Sequence, residues 1–139
     1  MAVITKYIEL STKGNADIKN ISREVEKAVS DSGIKDGIVT VFCKGSTGAV
    51  TTIEYESGLI EDLQNALERI APRNIEYKHH LRWMDGNGHS HVRASLLGPS
   101  VTVPIIDGRM PLGTWQQLIF IDLDNRPRSR KLIVQIMGE

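Results

Sequence analysis

All four histidines of the chain, His79, His80, His89 and His91, fall between positions 79 and 91, and the rest of the sequence holds none. Histidine is the commonest metal ligand and the one side chain that titrates unperturbed near neutral pH. Asp85, Asn87, Ser90 and Arg93 share the same stretch. A polar segment of this make-up suits coordination of a metal or handling of a phosphate. The plainer alternative is a solvated loop with incidental histidines. The spacing matches neither C-x-x-C nor H-E-x-x-H, so it carries no strong zinc signature.

Other segments could add to such a site. Lys44-Gly45-Ser46-Thr47-Gly48 joins glycines, which let backbone N–H groups approach an anion, to two hydroxyls. It lacks the G-x-x-x-x-G-K-[ST] order of a P-loop and reads equally as a plain turn. In Asp107-Gly108-Arg109-Met110-Pro111-Leu112-Gly113-Thr114-Trp115-Gln116, Arg109 could grip a phosphate or carboxylate bidentately. Spacing alone favours a Gly-rich hairpin turn there, with Trp115 packed in the core. Arg126-Pro127-Arg128-Ser129-Arg130-Lys131 could touch RNA or a phosphorylated ligand, but a basic hairpin turn in solvent is the simpler reading. Glu54 and Glu56 share one face at the end of an expected strand, with Glu54 a metal ligand, a base or a surface carboxylate. Cys43 adjoins an apolar run and reads as a small buried hydrophobe rather than a nucleophile.

The elements that must position these residues follow from patterning. Val3 to Leu10 is expected to be a strand. A helix capped by Asn15 or Asp17 is expected to bury Ile18, Ile21, Val25, Ala28 and Val29 and to end at Gly33. Ile38–Cys43 and Ala49–Tyr55 read as strands. Ser57 is expected to cap a second helix with Leu59, Ile60, Leu63, Ala66, Leu67 and Ile70 as its stripe and Pro72 as its stop. Residues 73 to 90 lack periodicity and read as a long polar loop. Ser90 is expected to cap a short helix to Leu97, followed by strands at Val101–Ile106, Gln116–Leu123 and Lys131–Met137. Helices and strands do not alternate regularly. The expected fold is therefore α+β, a compact single domain over residues 1–139 with largely antiparallel, sandwich-like sheets and two to three helices.

Composition narrows the function classes. The 139 residues include 17 Lys+Arg and 17 Asp+Glu, a formal net charge of zero. That balance argues against a general nucleic-acid binder, although a local basic pocket stays open. Apolar residues make up 40% and charged residues 24%, as in an ordinary globular domain. One cysteine rules out an intrachain disulfide. The N-terminal segment has no signal-peptide pattern and no apolar run reaches a membrane span, so a cytoplasmic location is expected.

Taken together, Ser90-His91-Val92-Arg93-Ala94-Ser95-Leu96-Leu97-Gly98-Pro99-Ser100, Gly108-Arg109, Gly113-Thr114-Trp115-Gln116 and the terminal Gly138-Glu139 resemble the YjbQ family, also called UPF0047 or the secondary thiamine-phosphate synthase family. The resemblance implies a homotrimer and a weak thiamine-phosphate synthase activity. That reaction joins hydroxymethylpyrimidine pyrophosphate to thiazole phosphate. It also implies His91, Glu54 and Arg109 as catalytic residues and His79 with His91 as ligands of a divalent metal, Mg or Zn. Ser46, Thr47, Arg109, Thr114 and Gln116 would bind substrate phosphate, with no organic cofactor. Many family members have His in place of Gly45 and Asn in place of Ile53, so one candidate ligand or acid/base is missing here. His80 and His89 are additional. Two other classes stay open: a non-catalytic binding protein for a phosphorylated metabolite or metal, and an RNA-contacting module.

Overall fold

A computed structural model describes residues 1–139. The strands are β1 (Ala2–Thr12), β2 (Asp17–Asn20), β3 (Gly37–Cys43), β4 (Gly48–Ile53), β5 (Ser100–Ile105), β6 (Gln117–Asp122) and β7 (Arg128–Gly138). The helices are α1 (Ser22–Ser32), α2 (Ser57–Ile70), α3 (Lys78–Trp83) and α4 (Gly88–Leu97). One sheet has the order β1-β7-β3-β5 and the other β2-β6-β4. Every pairing is antiparallel. The α+β expectation holds, with four helices rather than two to three.

Burial explains the layering. In β7, Arg130, Leu132, Val134 and Ile136 alternate onto the buried face by the two-residue period of a strand. With Val39, Val41 and the α1 residues Val25 and Val29, they pack against Val50, Leu118 and Phe120 of the smaller sheet. The opposite face of that sheet, through Ala49, Ile119 and Ile121, packs on Leu67 of α2 and Ala94 of α4. β6 is thus covered on both sides, which accounts for its continuous Leu118-Ile119-Phe120-Ile121 run.

Three boundaries differ from expectation. Asp17–Asn20 is a strand, with Ile18 opposite Ile121, and α1 starts only at Ser22. Asn15 and Ala16 lie in the left-handed region and form a turn rather than a cap. The free edge of β6 offers this segment a ladder, which wins over its helical spacing. Glu56 rather than Ser57 caps α2, accepting from the Leu59 N–H at 2.6 Å. The stretch read as a loop contains α3, and α4 starts at Gly88, ahead of Ser90. No helix is long and apolar enough to cross a membrane.

Candidate functional site

The β6–β7 connection, which crosses from one sheet to the other, the β3–β4 turn and the start of α4 line a cleft of about 530 Å³. None of its 12 lining residues is hydrophobic. Lys44, Gly45, Ser46 and Thr47 form one wall, Arg126, Arg128 and Arg130 another, and His91 stands with Asp85 and Asn87 between them.

The rear of the cleft is a buried ion network. Arg130 donates from Nε to Asp122 Oδ2 and from Nη2 to Asp122 Oδ1, both at 2.8 Å. The same Nη2 donates to Thr47 Oγ1 at 2.9 Å. The Thr47 hydroxyl donates in turn to Asp124 Oδ2 at 3.0 Å, and Arg128 Nη1 donates to the same oxygen at 2.9 Å. Thr12 Oγ1 donates to Asp122 Oδ2 at 2.5 Å. Burial by itself would push the Asp122 carboxyl up. The Arg130 fork and the Thr12 hydroxyl outweigh it and hold the group below the ordinary carboxylate range. Arg130, expected in a solvent turn, is buried here. The missed signal is phase: Arg130 occupies the alternation of Leu132, Val134 and Ile136, a charge on a buried face that requires a partner.

The histidine segment is fixed to this network by amides. Asn125 donates from its backbone N–H to Asn87 Oδ1 at 3.2 Å and from Nδ2 to the Asp85 carbonyl at 2.9 Å. The Asn87 N–H donates to Asp85 Oδ1 at 3.1 Å. These contacts bring the α3–α4 turn onto the β6–β7 connection and set His91 over the cleft. His79 stacks on His91 with ring centroids 4.5 Å apart and a 39° tilt, while its Nδ1 faces Asp85 Oδ1 at 3.5 Å. His89 points away, buried against Tyr77 at 6.4 Å between ring centroids. Burial first, then the positive Arg93, pushes its imidazole below the usual range. Arg93 is structural: it donates to the Ala71 carbonyl at 2.9 Å and to Glu68 at 2.7 Å, tying α4 to the end of α2.

His79 and His91 therefore converge, but as a stacked pair. No three His, Cys, Asp or Glu side chains gather to hold a metal ion. A zinc site takes three or four protein ligands, which one chain does not bring together here. Magnesium takes one or two carboxylates with a substrate phosphate, and Asp85 and Asp124 line the cleft.

Ser46 and Thr47 line the His91 cleft, but the other residues of the expected site do not. Gly48 is opposite Asp122 at the cleft end of β4, whereas Ile53 is opposite Gln117 at the far end. Five strand residues separate the two ends, roughly 17 Å. Glu54, Thr114 and Gln116 sit at that far end, where Gln116 Nε2 donates to Thr52 Oγ1 at 3.3 Å. Trp115 is 72% exposed there, not packed in the core. Arg109 lies beyond β5, beside Glu26 and Ser30 of α1, and bridges to Ile106. β5 ends at Ile105, in the Gly37–Gly138 row, eight residues along β7 from Arg130, or roughly 27 Å. Gly45 does line the cleft, and a Cβ there would lie 3.6 Å from Arg130 Nη1, so a side chain at this position would stand in this site.

The comparisons agree with this architecture. The sequence pattern described as "UPF0047 protein YjbQ-like" matches residues 6–139. A UPF0047 protein of Methanothermobacter thermautotrophicus is 40% identical over 139 residues, covering 100% of this chain and 95% of its own. The UPF0047 protein YugU of Bacillus subtilis is 30% identical over 134 residues, covering 96% and 98%. A crystal structure of a YbjQ-like protein of unknown function from Sulfolobus solfataricus superposes with a TM-score of 0.94 at 34% identity, covering 99% of each chain. An uncharacterised YjbQ/UPF0047 protein from Clostridium acetobutylicum gives 0.87 at 34% identity, covering 95% and 99%. With the family pattern running through both sheets, all four helices and the cleft between them, this chain belongs to the YjbQ/UPF0047 family.

Proposed function

We propose that the protein is a small enzyme acting on a phosphorylated small molecule in the His91 cleft. The observation that carries this reading is the wholly polar lining, with four cationic side chains against the carboxylates of Asp85 and Asp124. Arg128 is held by Asp124 and Arg130 by Asp122. Lys44 and Arg126 are exposed and have no carboxylate partner, so they are the cations free to neutralise a phosphate. The backbone N–H groups of Gly45, Ser46 and Thr47 donate to no carbonyl of the chain and add further anion donors. His91 is the group placed to give or take a proton at the bound ester.

The resemblance implies one such reaction, although the wholly polar cleft offers no apolar wall for its two rings. A bond forms between the pyrimidine methylene carbon and the thiazole nitrogen while the C–O bond to pyrophosphate breaks. The electron pair leaves with pyrophosphate, whose charge Lys44 and Arg126 would stabilise. Glu54, Arg109, Thr114 and Gln116 could join this cleft only from a second copy of the chain. A homotrimer is part of the proposal, supported by Val3, Tyr7, Ile38, Phe42 and Met137, which are 38–57% exposed on one face of the larger sheet. Incubating the purified protein with both precursors tests the reaction, and absence of thiamine phosphate removes that substrate assignment. Sedimentation tests assembly; a mass of 15.5 kDa, that of one chain, overturns the trimer.

Gly45 favours a second reading, since the cleft lacks a side chain where relatives carry histidine. A non-catalytic binding protein would bind a phosphorylated metabolite with no turnover, and Gly45→His would restore turnover if the absent side chain is the cause.

A further inference from the structure

The lining of the His91 cleft says more about its ligand than that it carries a phosphate. Binding sites for flat heterocycles are lined mostly by apolar and aromatic side chains. Here no hydrophobic residue lines about 530 Å³ of space. A ring bound inside it would lose water without gaining an apolar wall. The cleft instead retains hydrogen-bonding groups that a bare phosphate does not need. Asp85 accepts the Asn87 N–H on Oδ1, its side chain is 49% exposed, and its other oxygen has no partner within the chain. Ser46, an exposed residue, lines the same cleft.

A carboxylate of this kind repels a pure polyanion. It favours a ligand that offers O–H donors beside its phosphate, because a hydrogen bond to a charged acceptor is the strong kind. We propose that the cleft is specific for a hydroxyl-rich phosphate ester, a sugar or polyol phosphate. Lys44 and Arg126 take the phosphate, and Asp85 is the specificity residue that accepts from a hydroxyl of the same molecule. This names the substrate class of the site and rests on the reading that the cleft holds a phosphate.

Calorimetric titration of the full chain with three probes tests it: ribose 5-phosphate, phenyl phosphate and inorganic phosphate. The expected order puts ribose 5-phosphate at least about tenfold tighter than phenyl phosphate, the difference one charged hydrogen bond makes. Asp85→Asn keeps an Oδ1 acceptor for the Asn87 N–H. It is expected to erase most of that margin and, by removing a negative charge beside the phosphate, to bind phenyl phosphate no more weakly than the parent does. Arg126→Gln is expected to weaken all three probes. Equal or tighter binding of phenyl phosphate overturns the hydroxyl specificity and leaves the phosphate reading intact. An undiminished margin in Asp85→Asn removes Asp85 from the role. Binding of none of the probes overturns both readings.

Discussion

Replacing Arg130 by methionine tests the reasoning about the buried network most sharply. The Arg130 and Asp122 side chains are 6% and 0% exposed, and two hydrogen bonds of 2.8 Å join them. Methionine fills much of the volume but leaves Asp122 with only the Thr12 hydroxyl and the Asp124 N–H as donors. Breaking a buried pair by removing one partner costs about 3–5 kcal/mol. That is a large share of the roughly 5–15 kcal/mol that holds a domain folded. With a urea slope of about 2 kcal/mol per molar, a loss of about 4 kcal/mol lowers the unfolding midpoint by about 2 M. The pH dependence supplies the internal control. In the parent, Asp122 titrates below its unfolded value, so its contribution is present above about pH 4 and is lost as pH falls through the folded value. In Arg130→Met the same carboxyl is desolvated without its partner and titrates above the unfolded value. Its burden is then absent below about pH 4 and grows as pH rises through the folded value. The stability gap between parent and variant should therefore be wide at pH 7 and narrow toward pH 4. Asp122→Asn added to Arg130→Met should recover part of the loss at pH 7. Equilibrium urea unfolding at the two pH values measures all of this. A cost under about 1 kcal/mol, or a gap that does not change with pH, would refute the network as an obligatory buried pair.

Other outcomes follow from the same geometry. His89 is buried and held below its unfolded value, so its contribution is present above about pH 6.5 and is lost as pH falls through the folded value. Thermal unfolding from pH 8 to pH 5 should show that loss, and His89→Gln should flatten it. Gly88→Ala would place a Cβ 2.5 Å from the Tyr77 Cβ, an atom bonded to backbone that cannot swing aside. A cost of about 1–3 kcal/mol is expected, read as a drop of roughly 3–10 °C in Tm; an unchanged Tm would show that α3 shifts freely on α4. The Cys43 thiol is 2% exposed and burial pushes its pKa up. Iodoacetamide at pH 8 should leave it unmodified in the folded protein and alkylate it in urea.

How much of this was legible in the sequence varies with how local the cause is. Gly33 at φ 72° ends α1 as its position implies, because the left-handed region is a property of the residue itself. The antiparallel α+β class and the strands at β3, β4, β5, β6 and β7 follow from alternation and β-branching. Ile18 was misread because helical spacing over Ile18, Ile21 and Val25 is real, yet a free strand edge supplied a better place for it.

The sequence by itself determined the building blocks of the site: clustered histidines, a Gly-Ser-Thr-Gly turn and a run of arginines with no net charge over the chain. Only the tertiary structure decided which of them meet. The strand alternation of β7 turns Arg130 inward to Asp122 of the facing sheet, and the Asn87–Asn125 contact carries His91 to the same place. The β4–β6 register leaves Gln116 and Glu54 at the opposite end of the smaller sheet. Spacing along a chain fixes the face a residue occupies. Proximity between residues far apart in sequence is set by strand pairing and by the need of buried charges for partners, which no local pattern encodes.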